Sequence, residues 1–268
     1  MKDFKEYLEL LKIDEYMLTH FTRFEILSKI ILNHQLYIPF DTVRMFHDYN
    51  SEKNLKELYS DVDQYINSIK NNGYGGTCIH LTWGLYNLLQ YLNYEVKIIR
   101  FEEEHFALVV SCDSKEYYVD VAFWAPLFKP FPLKSDWIVT NHAHTVEWRY
   151  SQEKESGVLL CGGEPAKTWD GKFLNEDEFW WFSEEFMKKD NNTFLQNLYL
   201  NKWRDEDTFL FIVNDCYKVF HKGKKIEEIN FDARSKDEFK KIIDNNFNVV
   251  GEEYIKYFIN LEKVKVSD

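Results

Sequence analysis

The chain has 268 residues, 18% of them aromatic, and a formal charge of −12, enough for a large core in one domain or in two to three packed units. That charge argues against nucleic acid and anionic membrane as general partners, because both attract basic surfaces, so an anionic cofactor would need a local site. No apolar run reaches the roughly 18 residues of a spanning helix, "MKDFKEYLELLK" is too charged for a signal peptide, and a cytoplasmic location is expected.

Through residues 3–70 apolar side chains recur at helical spacing, as in Phe4, Leu8 and Leu11 and again in Phe24, Leu27, Ile30 and Ile31, so the first quarter reads as helices. Pro39 in "YIPF" interrupts them, since the residue before a proline avoids helical geometry. After "GYGG", residues 78–94 read as a mostly buried helix. From Glu95 the period changes to two: "VKIIRF", "HFALVVS" and "EYYVDVAF" are strands, and "CDSK" is a hairpin turn between the last two. The proline-punctuated "APLFKPFP" is extended. Shorter strands follow around Ile138, Val146, Val158 and Thr168, the last closed by the turn "WDGK". A helix is expected over 176–189, strands in "FLQNLYLNKW", "TFLFIVN" and "CYKVFHKG", and helices near 235–245 and 252–260. There is no repeat and no low-complexity linker. Helices, then antiparallel strands, then a mixed end give an α+β class in three packed parts.

The four cysteines, Cys78, Cys112, Cys161 and Cys216, are widely spaced with no C-x-x-C pair, which fits free thiols better than a zinc ribbon or a disulfide framework. "HAH" at His142 to His144 has no third ligand nearby and reads as a polar strand, so no metal site is expected.

A lone buried cysteine is most simply a packing residue. Cys78 differs in its position at a helix start, where unpaired N–H groups and the helix dipole favour a thiolate. Gly75 and Gly76 just ahead of it would let a backbone approach whatever binds at the sulfur. Such a thiolate needs a base, and the base an orienting group. His105 opens the apolar strand "HFALVV", and Asp120 lies in the apolar "YYVDVAF", where a carboxylate is costly unless paired. A hairpin centred between Asp113 and Ser114 sets His105 opposite Ala122 with Asp120 two residues away on the same face; a centre one residue earlier sets His105 directly opposite Asp120. Either way Cys78, His105 and Asp120 are candidates for nucleophile, base and orienter.

"GGTC", "HFALVV" and "YYVDVAF" together resemble three signatures of the arylamine N-acetyltransferases, an R-G-G-x-C-x-E block, a histidine strand and a V-D-V-G-F block. "HQLYIPFDT" at His34 to Thr42 resembles the family's H-x-x-x-P-F-E-N segment, "YLELL" its opening Y-x-x-R-I, and "NNTFLQNLYLNKW" its T/S-x-F segment before the last domain. The resemblance implies a helical domain over 1–92 carrying the nucleophile, a β-barrel-like domain over 93–200 carrying His105 and Asp120, and an α/β lid over 201–268. It also implies ping-pong transfer of an acetyl group from acetyl-CoA to Cys78 and on to a small arylamine, arylhydrazine or related nitrogen acceptor. Gly75, Gly76, Thr193, Lys202 and Arg204 are the expected CoA contacts, the cations for its phosphates, and Phe40, Phe123 and Trp124 the expected acceptor contacts. Nothing in the sequence sets an oligomeric state.

The chain departs from the family pattern at Tyr74 for Arg, His80 for Glu, Thr82 for Asn, Leu10 for the opening Arg and Asp41 for Glu, while "DVAFW" adds the bulk of Ala122 and Trp124. These changes read as removal of a charged network around the site. The run Glu102 to Glu104 beside the opening is expected to disfavour a carboxylate-bearing acceptor. Two further readings stand beside the transferase: a thiol hydrolase or transglutaminase-like enzyme, which shares the Cys-His-Asp order, and an idle binding protein on the same scaffold.

Overall fold

The computed structural model describes residues 4–141, 144–231 and 236–257. The chain opens with α1 (Lys5–Leu10), α2 (Glu15–His20) and α3 (Arg23–Tyr37), then a two-residue strand β1 (Phe40–Asp41), then α4 (Val43–Tyr49), α5 (Leu55–Leu58), α6 (Val62–Asn72) and α7 (Cys78–Tyr91). Local chemistry sets these ends. Thr22 and Glu25 form a reciprocal capping box at the start of α3, and Gly73, left-handed at φ 75°, closes α6.

Strands β2 (Glu95–Phe101), β3 (His105–Cys112), β4 (Lys115–Val119) and β5 (Phe131–Pro132) form an antiparallel sheet. A meander of β6 (Trp137–Asn141), β7 (His144–Ser151), β8 (Ser156–Cys161) and β9 (Glu164–Trp169) makes a second sheet. The short β10 (Phe173–Leu174) returns to the edge of β2, and α8 (Glu176–Met187) and α9 (Thr193–Gln196) follow. Strands β11 (Tyr199–Asp205), β12 (Thr208–Val213), β13 (Cys216–His221) and β14 (Lys224–Asn230), with β1 added beside β11, form the third sheet, which α10 (Lys236–Phe247) covers.

The expected barrel does not form: among the described residues the strands make three separate sheets, none closed on itself. Closure needs hydrogen bonding all the way round. Here β5 and β10, the two edges of the first sheet, are two residues long, and the first and second sheets meet instead through side chains. Ile99, Phe101, Val109 and Tyr118 pack on Val146, Trp148 and Trp169. The other face of β3, Phe106, Leu108 and Val110, packs on the helices. Burial on both faces explains the uninterrupted apolar run "HFALVV".

One further expectation changes, and one strand is added. Residues 193–196 are helical rather than extended, because Asn192 caps them by accepting the Phe194 N–H at 3.0 Å. Strand β14 was not foreseen; its side chains are largely exposed and carry little apolar pattern. The last helix is seen over 251–257, and the rest of the expected 252–260 lies outside the described residues. So do His142 and Ala143 of the "HAH" stretch; among the described residues there is no group of three or more His, Cys, Asp or Glu able to hold a metal ion, and no helix long and apolar enough to cross a membrane.

Candidate active site

Cys78 is the first residue of α7 and only 2% exposed, with Sγ 4.0 Å from the Glu104 carbonyl oxygen. The glycines before it do not open a path to a ligand. A Cβ on Gly75 would lie 1.9 Å from the Pro39 carbonyl oxygen, and one on Gly76, at φ +86°, 2.5 Å from the His80 ring. Their freedom is used to pass the backbone of β1: Asp41 N–H donates to Gly76 O at 3.0 Å, and Gly76 N–H donates to Asp41 Oδ2 at 2.7 Å.

His105 and Asp120 meet across the β3–β4 hairpin. Leu108 pairs with Val119 and Cys112 with Lys115, so the hairpin is centred between Asp113 and Ser114, the first of the two registers considered. Both turn residues are left-handed, at φ 50° and 62°, as a two-residue type I′ turn requires. Asp120 lies just past the end of β4 and not within it. Its Oδ1 accepts the N–H groups of Ala122 (2.9 Å) and Phe123 (3.0 Å), which bends the chain back. Its Oδ2 accepts from His105 Nε2 and from the Tyr118 hydroxyl, each at 2.7 Å. From α3, the Gln35 amide donates to the Asp120 carbonyl at 3.3 Å. Thr82 of α7 donates to Phe106 O at 3.1 Å, tying the cysteine helix to the histidine strand.

Burial alone would pull the His105 imidazole below its ordinary value. The charge of Asp120 and its hydrogen bond, joined by smaller contributions from Cys78, raise it to about 9. Burial likewise pushes Asp120 up, and the His105 charge and hydrogen bond, with the Tyr118 hydroxyl and the Ala122 amide, hold it below the ordinary carboxylate value. Near neutrality the pair is therefore imidazolium and carboxylate.

Cys78, His105 and Thr193 all line a cavity of about 700 Å³ walled by nine aromatic side chains, Phe40, Phe123 and Trp124 among them. Lys202 and Arg204 are elsewhere. On β11, Tyr199 and Asn201 line the cavity; Lys202 and Arg204 alternate onto the face covered by α10, where Arg204 donates to Asn246 Oδ1 at 2.9 Å. Burial, with the Arg204 charge, pulls Lys202 down to about 8. Among the described residues the lysine that lines the cavity is Lys167 of β9, whose Nζ donates to Glu103 O at 3.3 Å. No local sequence signal marks it, because only the packing of the second sheet brings it there. The acidic run is also less free than expected: Glu103 accepts the Thr168 N–H at 2.7 Å, and Glu104 is ion-paired with Lys189.

Nor is the charged network missing. Arg44 Nε donates to the Tyr59 hydroxyl at 2.5 Å, Tyr59 donates to Asp48 Oδ2 at 2.5 Å, and His80 Nε2 lies 2.7 Å from the same oxygen. Tyr74, in the place of the family arginine, packs on His47 and Tyr254. The cation comes from position 44 and the anion from position 48. The sequence cue was Arg44 and Asp48 at i,i+4 spacing on a short helix that also carries Val43 and Met45.

An α+β chain thus brings a helix-start cysteine and a histidine paired with a buried aspartate to one aromatic-walled cavity. The fold is shared with the arylamine N-acetyltransferase of Salmonella typhimurium (TM-score 0.79, 16% identity, 97% of this chain and 99% of that one). It is also shared with that of Mycobacterium marinum in complex with CoA (TM-score 0.76, 13% identity, 98% and 99%). A third match is the Bacillus cereus enzyme described as having a unique Cys-His-Glu catalytic triad (TM-score 0.72, 18% identity, 93% and 100%). No sequence match is found among curated proteins. The sequence profile of the N-acetyltransferase family matches residues 23–254, and the chain belongs to the arylamine N-acetyltransferase family and is an acyltransferase of that kind.

Proposed function

We propose that the protein transfers an acetyl group from acetyl-CoA to Cys78 and then to an arylamine, arylhydrazine or related nitrogen acceptor. The observation that carries this reading is the His105–Asp120 pair opening onto the same aromatic-walled cavity as Cys78. With Nε2 committed to Asp120, Nδ1 is the nitrogen left for the thiol. The Cys78 thiolate attacks the thioester carbonyl, the CoA thiolate leaves with the proton held by His105, and a thioester to Cys78 remains. The acceptor nitrogen then attacks that thioester while His105 takes its proton, which releases the amide and restores the ion pair. Asp120 orients the imidazole and stabilises its charge. Thr193 stands near the CoA, and Phe40, Phe123 and Trp124 offer faces on which a flat acceptor stacks. Lys167 replaces Lys202 and Arg204 as the cation for the CoA phosphates. In this reading the segments 1–92, 93–200 and 201–268 supply the nucleophile, its partners and the lid.

Initial rates over a grid of acetyl-CoA and an uncharged hydrazine test it. Parallel double-reciprocal lines, with CoA released before the acceptor is added, are expected for two half-reactions through an acyl-enzyme. Intersecting lines would contradict the covalent intermediate, and amide cleavage without CoA would favour the thiol hydrolase.

A further inference from the structure

His80 is buried to 2% exposure three positions into α7, yet it does not line the cavity. Two residues beyond Cys78 on a helix, its side chain lies on the far side of the axis from the sulfur, so it cannot act on a substrate directly. Its Nδ1 accepts the Thr77 N–H at 3.0 Å, which leaves the ring proton on Nε2 to donate to Asp48 Oδ2. Thr77 is the N-cap of the helix that starts at Cys78. The next amide back, Gly76, is held by Asp41 at 2.7 Å. Two successive amides leading into the cysteine turn are thus tied to the β1–α4 segment: Gly76 to Asp41 of β1, which also accepts the Arg44 N–H of α4 at 2.9 Å, and Thr77 through His80 to Asp48 of α4. Tyr59 and Arg44 close the cluster behind Asp48, and the ring fits only because position 76 has no side chain.

A buried polar cluster of this kind is costly to keep, and hydrophobic replacement is often neutral or stabilising where only the fold is at stake. We propose that His80 is a positioning residue for the nucleophile. Through the Thr77 amide it fixes the first turn of α7 and so holds the Cys78 sulfur toward His105. The role in acyl transfer rests on the function proposed above; the effect on the thiol does not.

Three variants separate positioning from support of the fold. His80→Asn keeps an acceptor where Nδ1 stands and loses the reach to Asp48. His80→Gln keeps a donor for Asp48 and loses the acceptor for Thr77. His80→Phe keeps neither. Each is read by the rate of Cys78 alkylation with iodoacetamide, by kcat and KM for acetyl-CoA, and by thermal midpoint. The expected order of both alkylation rate and kcat is wild type, then Asn, then Gln and Phe, the last two down about tenfold or more, with KM within about twofold. If Gln matches or exceeds Asn, or if any folded variant lacking the acceptor keeps the wild-type alkylation rate, the proposal is wrong. Should no variant nor the wild type transfer acetyl while the alkylation order holds, the positioning role stands and the acetyl-transfer reading falls.

Discussion

At the scale of single residues the site turns on one carboxylate. Asp120 accepts two backbone amides on Oδ1 and His105 and Tyr118 on Oδ2, so asparagine, which keeps Oδ1, should leave the local chain intact but the imidazole wrongly held. Asp120→Asn should lower acyl transfer at least about a hundredfold with the circular dichroism spectrum unchanged; transfer within tenfold of wild type would point to another orienter. The same pair makes stability depend on pH. His105 titrates near 9 in the folded protein against about 6.5 when unfolded. Its contribution is fully present below about pH 6.5 and is lost as pH rises through 9. The difference in thermal midpoint between wild type and His105→Gln should therefore shrink from pH 6 to pH 9.5, and a constant difference would contradict the raised value. His34 gives the opposite sign. Burial pulls it down to about 3, so below about pH 6.5 only the unfolded chain takes up its proton, and stability falls as pH drops toward 3.

At the scale of elements, the sequence showed what local chemistry decides. Cys78 at a helix start, the two strands of the hairpin and their centre at Asp113–Ser114 follow from glycine placement, β-branched content and turn residues, all short-range signals. The strand expected to run on to Phe123 ends at Val119, because the Asp120 side chain, accepting two amides, stops what the apolar pattern would continue. Lys202 and Arg204, expected to meet the CoA phosphates, lie on the face of β11 away from the cavity, because the phase of β11 is set by its pairing with β1 and by α10, which no local pattern reveals. Lys167 depends on how β9 packs against the turn before His105. It supplies a prediction at this scale: Lys167→Gln should raise KM for acetyl-CoA about three- to tenfold with kcat little changed, and should weaken the salt dependence of KM. Equal KM values for the two proteins would remove Lys167 from the phosphate site, whereas a matching loss in Lys202→Gln would restore the earlier assignment.

For the whole molecule, three cores meet around one cavity. The helices hold Cys78 against β3, the first two sheets hold His105 and Asp120 between them, and the third sheet lends its aromatic face as a wall. Against the overall charge of −12, Lys189 pairs with Glu104 and Lys167 donates to the Glu103 carbonyl beside the cavity, so the charge there is locally less negative. Cys78, His105 and Asp120, the proposed nucleophile, base and orienter, are thus brought together only by packing between segments far apart in the chain. The most direct test is the intact mass of the protein after incubation with acetyl-CoA and no acceptor, for the wild type and for Cys78→Ala. The account predicts that the wild type gains the mass of one acetyl group, which a hydrazine then removes, and that Cys78→Ala gains nothing. An unchanged wild-type mass under conditions of full folding, or an equal gain in the alanine variant, would contradict it.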